Sequence, residues 1–288
     1  RTAYMCNGRD FLKDKKRIVV KIGSSSLMHS ETGKLDLLKI ERLVRALVDI
    51  KNSGKEVILV SSGAIAVGKT AIGLHERPDE LPVKQACAAI GQAKLMMVYQ
   101  KLFAEYGTIA AQVLLTKYTM LNPVTRTNAE NTFKELLHIG AIPVVNENDT
   151  VSTYEIEQVQ SFGDNDKLSA LVASITEADL LILLSDIDGL YTDDPNKNPD
   201  ARFINVVDKI DEQLMNMGKK HISQSDMKLH IYFRNNVVAA QIATYSGTDM
   251  VITNGNDVTN ISRIINGENT GTLFLQHEYN DFNILELI

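Results

Sequence analysis

Four short apolar runs, each stopping abruptly at a polar or glycine-bearing burst, constrain the fold of this chain more than any other feature. They are Lys16 to Gly23 (KRIVVKIG), Glu56 to Ser61 (EVILVS), the Ile142–Val145 part of GAIPVVNEND, and Ala178 to Ser185 (ADLLILLS). Continuous Ile/Val/Leu runs of this length read as strands buried on both faces, which requires helices above and below a parallel sheet. The intervening segments supply them. Leu38, Ile40, Leu43, Leu47 and Ile50 recur at helical spacing before Gly54, and a long helix is predicted over Val83 to Tyr106. The small residues Ala86, Ala88, Ala89, Gly91 and Ala93 predict that this helix packs closely on a neighbour. Further helices are predicted over Asn128 to His138, through Leu168, Leu171 and Val172, and over Val237 to Tyr245. Further strands are predicted over Thr108 to Leu115, Phe203 to Val207 and Thr248 to Thr253. The alternation runs end to end with no linker, internal repeat or low-complexity tract, which predicts one doubly wound, largely parallel sheet flanked by helices.

Composition narrows the function. The 288 residues carry a net charge of −6, with 44% hydrophobic and 23% charged residues, an ordinary globular balance. That charge and a pI near 5.6 offer no electrostatic footprint for nucleic acid. No apolar run approaches the ~18 residues a membrane span needs. Cys6 and Cys87 fit no metal or redox spacing; Cys87 reads as core, and a reducing, cytoplasmic compartment fits. The first residues, RTAYMCNGRDFLKDKK, lack a signal-type apolar segment, and Met5 reads as a native start behind a short appended remnant, residues 1–4.

The chemistry concentrates where the strands stop. Asn146-Glu147-Asn148-Asp149 follows one strand, and Gly163-Asp164-Asn165-Asp166 opens the next helix. Such clusters suit an ammonium group, Mg²⁺ on a nucleotide, or a catalytic lysine. Turn residues and a helix cap would explain either burst alone. Lys21, ahead of Gly23 and Ser24-Ser25-Ser26, can reach phosphates, although a snorkelling edge lysine fits equally and no Walker spacing is present. Ser62-Gly63 between strand and helix leaves free amides, an anion site or simply a tight turn.

Taken in order, K-R-I-V-V-K-I-G-S-S-S, V-S-S-G-A-I-A-V-G, I-P-V-V-N-E-N-D, F-G-D-N-D-x-L-S-A and L-L-S-D-I-D-G-L-Y-T-D-D-P resemble the amino acid kinase family, within it the glutamate 5-kinase group and the kinase half of the bifunctional pyrroline-carboxylate synthases. The resemblance implies an α/β/α sandwich with a mainly parallel central sheet over residues 16–288, behind an N-terminal extension, 1–15, and without the C-terminal RNA-binding-like domain of many bacterial members. It implies transfer of the ATP γ-phosphoryl group to the side-chain carboxylate of L-glutamate, the first step of proline synthesis. Lys21 matches the lysine at the transferring phosphoryl group, and Asp166 the aspartate that holds the catalytic lysines. Ser62, Gly63, Asp149 and Asn165 match glutamate-binding positions, with Asp149 facing the substrate ammonium. Ser185 and Asp186 match an ATP-contacting segment. Mg²⁺ is expected to ride on the nucleotide. Feedback by proline, a homo-oligomer and coupling to glutamyl phosphate reductase are further implications.

One segment departs from the family. Where members carry a glycine-rich G-T-G-G-M-x-T-K-L run with a second catalytic lysine, this chain has His221 to Val238, HISQSDMKLHIYFRNNVV, without glycine. Ungapped counting from Ala239-Ala240 puts Asn236 at the lysine position; a gap brings in Lys228. So local a replacement between family-like flanks is what compensated frameshifts would produce.

Overall fold

The computed structural model describes residues 8–76, 78–151, 165–193, 198–211, 214–215 and 226–277, with backbone alone for 226–234. Strands β1 (Arg17–Ile22), β2 (Glu56–Ser61), β3 (Ala110–Leu115), β4 (Ile142–Glu147), β5 (Leu180–Ser185), β8 (Val206–Val207), β9 (Asp249–Asn254) and β10 (Thr272–Phe274) form one sheet in the order β3-β4-β2-β1-β5-β9-β10-β8. Its pairings are parallel apart from β9 with β10. β6 (Leu190–Tyr191) and β7 (Phe203–Ile204) make a separate antiparallel ribbon. The helices are α1 (Ser24–Leu27), α2 (Leu37–Asn52), α3 (Ala64–Ala71), α4 (Leu81–Glu105), α5 (Lys117–Leu121), α6 (Pro123–His138), α7 (Asp166–Ile175), α8 (Asp226–Tyr245) and α9 (Asn260–Ile265).

Side chains alternate across the sheet with period two and so divide the core. On β1, Ile18, Val20 and Ile22 join residues of α2, α4 and α9, whereas Val19 joins those of α6, α7 and α8. This is a three-layer α/β/α sandwich with a mainly parallel central sheet, as the strand–helix alternation predicts. Each fully buried leucine or isoleucine contributes about 1.5–3 kcal/mol against exposure, so burial on both faces holds β1 and β5 at the centre. Ahead of the sheet, Leu12 is fully buried and Arg9 donates to the carbonyls of Asn205, Thr270 and Gly271.

The close packing predicted for the long helix is against α3. A β-carbon on Gly68 would lie 1.8 Å from the Cys87 carbonyl oxygen, and one on Gly91 1.7 Å from that of Ala64. Glycine alone lets these backbones touch. The contact fixes where α3 begins.

Several boundaries differ from expectation, and α6 begins at Pro123 rather than Asn128. Phe203 to Val207 is split at Asn205, whose carbonyl accepts from Arg9 and from the Leu273 amide, so β7 enters the ribbon and β8 the sheet. β10 is too short to carry a periodic signal. α8 starts at Asp226 rather than Val237, running as helix through the latter part of the segment that departs from the family.

Candidate active site

Because β1, β2, β4 and β5 are parallel, their carboxyl ends share one edge of the sheet, the edge at which open α/β folds bind ligands. Strand order sorts the predicted residues along it. Lys21 lies on β1, in register with Val60 of β2 on one side and Leu183 of β5 on the other. Ser62 and Gly63 follow β2 and Asp149 follows β4, all on the first side; Ser185 ends β5 and Asp186 follows it, on the second.

Lys21 is two residues beyond Val19 and so faces α7. There its Nζ meets Asp166 Oδ1 at 2.6 Å, with the two side chains only 4% and 3% exposed. Asp166 is the first residue of α7, where a carboxylate also gains from the helix dipole. Removing one member of such a pair strips a buried charge of a direct partner.

A chain of amides holds the start of α7. Asn165 donates from Nδ2 to Asn146 Oδ1 at 2.7 Å, Asn146 donates to Gln92 Oε1 at 2.9 Å, and Gln92 donates to Gln112 Oε1 at 3.1 Å. Asn146 Oδ1 also accepts the Glu147 amide at 2.9 Å. The donation from Asn165 leaves its side-chain oxygen as an acceptor. This relay ties α7, β4, α4 and β3 together.

Asp149 is half-buried, and burial raises its carboxyl pKa to about 6. A positively charged partner would favour its ionised form. Gly63 adopts φ +108, a left-handed conformation that suits glycine, and no side chain caps α3 behind it. The Ser62 amide is already bonded to the Ile22 carbonyl at 3.1 Å, so any anion would be met by the amides that follow, not by that of Ser62. Across β1, the Ser185 hydroxyl donates to Asp186 Oδ1 at 3.3 Å and accepts the Ile187 amide at 3.2 Å, and the Ser185 carbonyl accepts from Gly255 at 2.6 Å.

Sequence reasoning named Asn165 but not Gln92, and passed over Asn146 within its polar burst. A glutamine beside Gly91 in a run of small residues was the available signal. Gly163, Asp164 and His221 to Ser225 lie outside the described residues, as do the side chains of Lys228, Tyr232 and Phe233. Asn236 is 1% exposed, and among the described residues neither polar atom of its side chain has a hydrogen-bond partner. Among the described residues no group of three His, Cys, Asp or Glu side chains could hold a metal ion.

Residues 16–254 match the model of the Amino acid kinase family. The chain is 52% identical over 269 residues to the glutamate 5-kinase of Carboxydothermus hydrogenoformans, covering 92% of this chain and 69% of the relative. It is 45% identical over 267 residues to the glutamate 5-kinase of Clostridium perfringens, covering 93% and 98% respectively. In fold it is similar to the carbamate kinase of Giardia lamblia solved with AMP-PNP, with a TM-score of 0.62 at 16% identity, over 92% of this chain and 100% of the other.

Proposed function

Since the chain belongs to the amino acid kinase family, we propose that it transfers the γ-phosphoryl group of ATP to the side-chain carboxylate of L-glutamate, releasing ADP and γ-glutamyl phosphate, the first step of proline biosynthesis. The observation that carries this reading is the buried Lys21–Asp166 pair on the central strand, with the residues assigned to glutamate on one side and those assigned to the nucleotide on the other.

In the reaction a glutamate carboxylate oxygen bonds to the γ-phosphorus as its bond to the β-phosphate bridging oxygen breaks. Both reactants are anions, so the protein's work is positioning and charge neutralisation. Lys21 neutralises charge on the transferring group, and Asp166 is a positioning residue that fixes the ammonium. Asp149 takes the substrate ammonium, Asn165 and Ser62 orient the amino acid, and the amides after Gly63 meet a carboxylate. Ser185 and Asp186 contact ATP. When bound, Mg²⁺ neutralises charge on the nucleotide phosphates, whose oxygens would carry it.

Residues 16–288 act as one kinase domain behind an N-terminal extension. We further assign a cytoplasmic location, a homo-oligomeric state, proline as feedback inhibitor and functional coupling to a glutamyl phosphate reductase. No described helix is long and apolar enough to cross a membrane.

Asn236 favours a second reading, a glutamate- or proline-binding relative with impaired transfer, because an amide unpartnered among the described residues stands where ungapped counting puts a second lysine. An ATP-consumption assay with glutamate, aspartate and acetylglutamate tests both. Turnover with glutamate alone supports the first. Binding of glutamate without turnover supports the second, and turnover with another acid instead overturns both.

A further inference from the structure

Away from the strand ends, a cavity of about 270 Å³ opens between α5, α6 and the C-terminal half of α7. Its apolar lining is Met120, Leu171 and Ile175. From α6 come Arg126 and Glu130, whose Nε and carboxylate stand 3.9 Å apart, beyond hydrogen-bond reach. Among the described residues Arg126 has no closer partner, so its guanidinium donors remain available. From the end of α7 comes Glu177.

Glu177 is the only non-glycine residue at positive φ among the described residues, at +51°. It follows the Thr176 cap of α7. Its amide bonds back to the Ser174 carbonyl at 3.1 Å, and that of Ala178 to the Ala173 carbonyl at 2.8 Å. This is the helix ending that ordinarily takes glycine, and a side chain there costs roughly 1 kcal/mol. The Glu177 carboxylate makes no hydrogen bond or ion pair with any described residue. A strained position thus holds an exposed charged side chain at the rim of the cavity.

We propose that this cavity binds a small zwitterion, an α-amino acid with an apolar side chain and a primary ammonium. The carboxylate lies on Arg126, the ammonium between Glu130 and Glu177, and the side chain on Met120, Leu171 and Ile175. Two carboxylates against one guanidinium repel a simple anion, while a simple amine leaves Arg126 unmatched; a ligand with both charges complements both. The volume sits below the usual range of drug-sized sites, roughly 300–1,000 Å³, and suits a molecule of this size, not a nucleotide. The site is separate from the strand-end site and does not rest on the reaction proposed for it. It is nevertheless mechanically linked to that edge, because Leu171 lies only about 7.5 Å along α7 from Asp166.

Calorimetric titration of the full chain with L-leucine, L-valine and L-methionine, in saturating glutamate and without it, tests the proposal. At least one should give saturable heat in both conditions. That affinity should fall at least tenfold in Arg126→Gln and in Glu177→Gly, while basal turnover stays unchanged. Glu177→Gly should also melt at a higher temperature, so that lost binding cannot be lost folding. No heat from any of the three, heat abolished by glutamate, or affinity unmoved in either variant would overturn the site.

Discussion

The Lys21 ammonium and the Asp166 carboxylate meet at 2.6 Å with both side chains almost wholly buried, joining the central strand to the first residue of α7. The position of the charge is therefore set by the fold before a substrate arrives, as electrostatic catalysis requires. Lys21→Ala should lower kcat by about a hundredfold or more while glutamate affinity, read by calorimetry, changes little. Loss of glutamate affinity with normal turnover per bound substrate would reassign Lys21 to the acceptor.

Asp166→Asn separates positioning from simple helix stability. It leaves the Lys21 charge buried, so unfolding free energy in urea should fall by about 3–5 kcal/mol. An exposed first-turn aspartate would contribute only about 0.3–1 kcal/mol. In the surviving folded enzyme kcat should collapse and both KM values stay close to wild type. Lys21→Met combined with Asp166→Asn should recover part of the stability and none of the activity.

With Asp149 assigned to the substrate ammonium, glutamate binding should depend on pH. Burial raises its carboxyl pKa to about 6, so protons compete with the substrate ammonium, and glutamate affinity should fall as pH drops through that value. The sign for stability is opposite to that of a salt-bridged aspartate. The folded state holds this proton more tightly than the unfolded one, so stability is lost as pH rises from about 4 through 6. Asp149→Asn should therefore raise the melting temperature at pH 8 while raising the KM for glutamate. A KM unchanged in the variant would leave Asp149 as a turn residue.

Asn236 presents a buried amide without partners among the described residues, and such groups destabilise by about 1–3 kcal/mol. Asn236→Leu, close in volume, should raise the urea midpoint without changing glutamate affinity. Ordinary ATP-dependent turnover, together with a peptide mass confirming residues 220–240, would show that phosphoryl transfer here does not need a lysine at position 236.

The central strands and the polar ends of β1, β2, β4 and β5 were legible in the sequence because buried parallel strands are continuous apolar runs and their exits are not. Lys21, Asn165 and Asp166 were legible as residue types at those exits, but their mutual distances were not. The relay through Asn146 and Gln92 was invisible because it joins helix to strand across 54 positions, and no local spacing encodes that contact. The break at Asn205 was hidden for the same reason: its carbonyl is claimed by Arg9, 196 residues away.

The place of β1 in the sheet also orders assembly in time. Its partner β2 ends at Ser61, but the partner on its other edge, β5, begins only at Leu180. During synthesis from the N-terminus, at roughly 5–20 residues per second, the half-sheet β3-β4-β2-β1 therefore exists for several seconds with the backbone of β1 exposed along one edge. An open edge of Ile-Val-Val-Lys-Ile is a template for pairing with a second nascent chain. Lys21, later buried against Asp166, is during that interval, together with Arg17 at its start, a charge on the exposed strand that opposes such pairing.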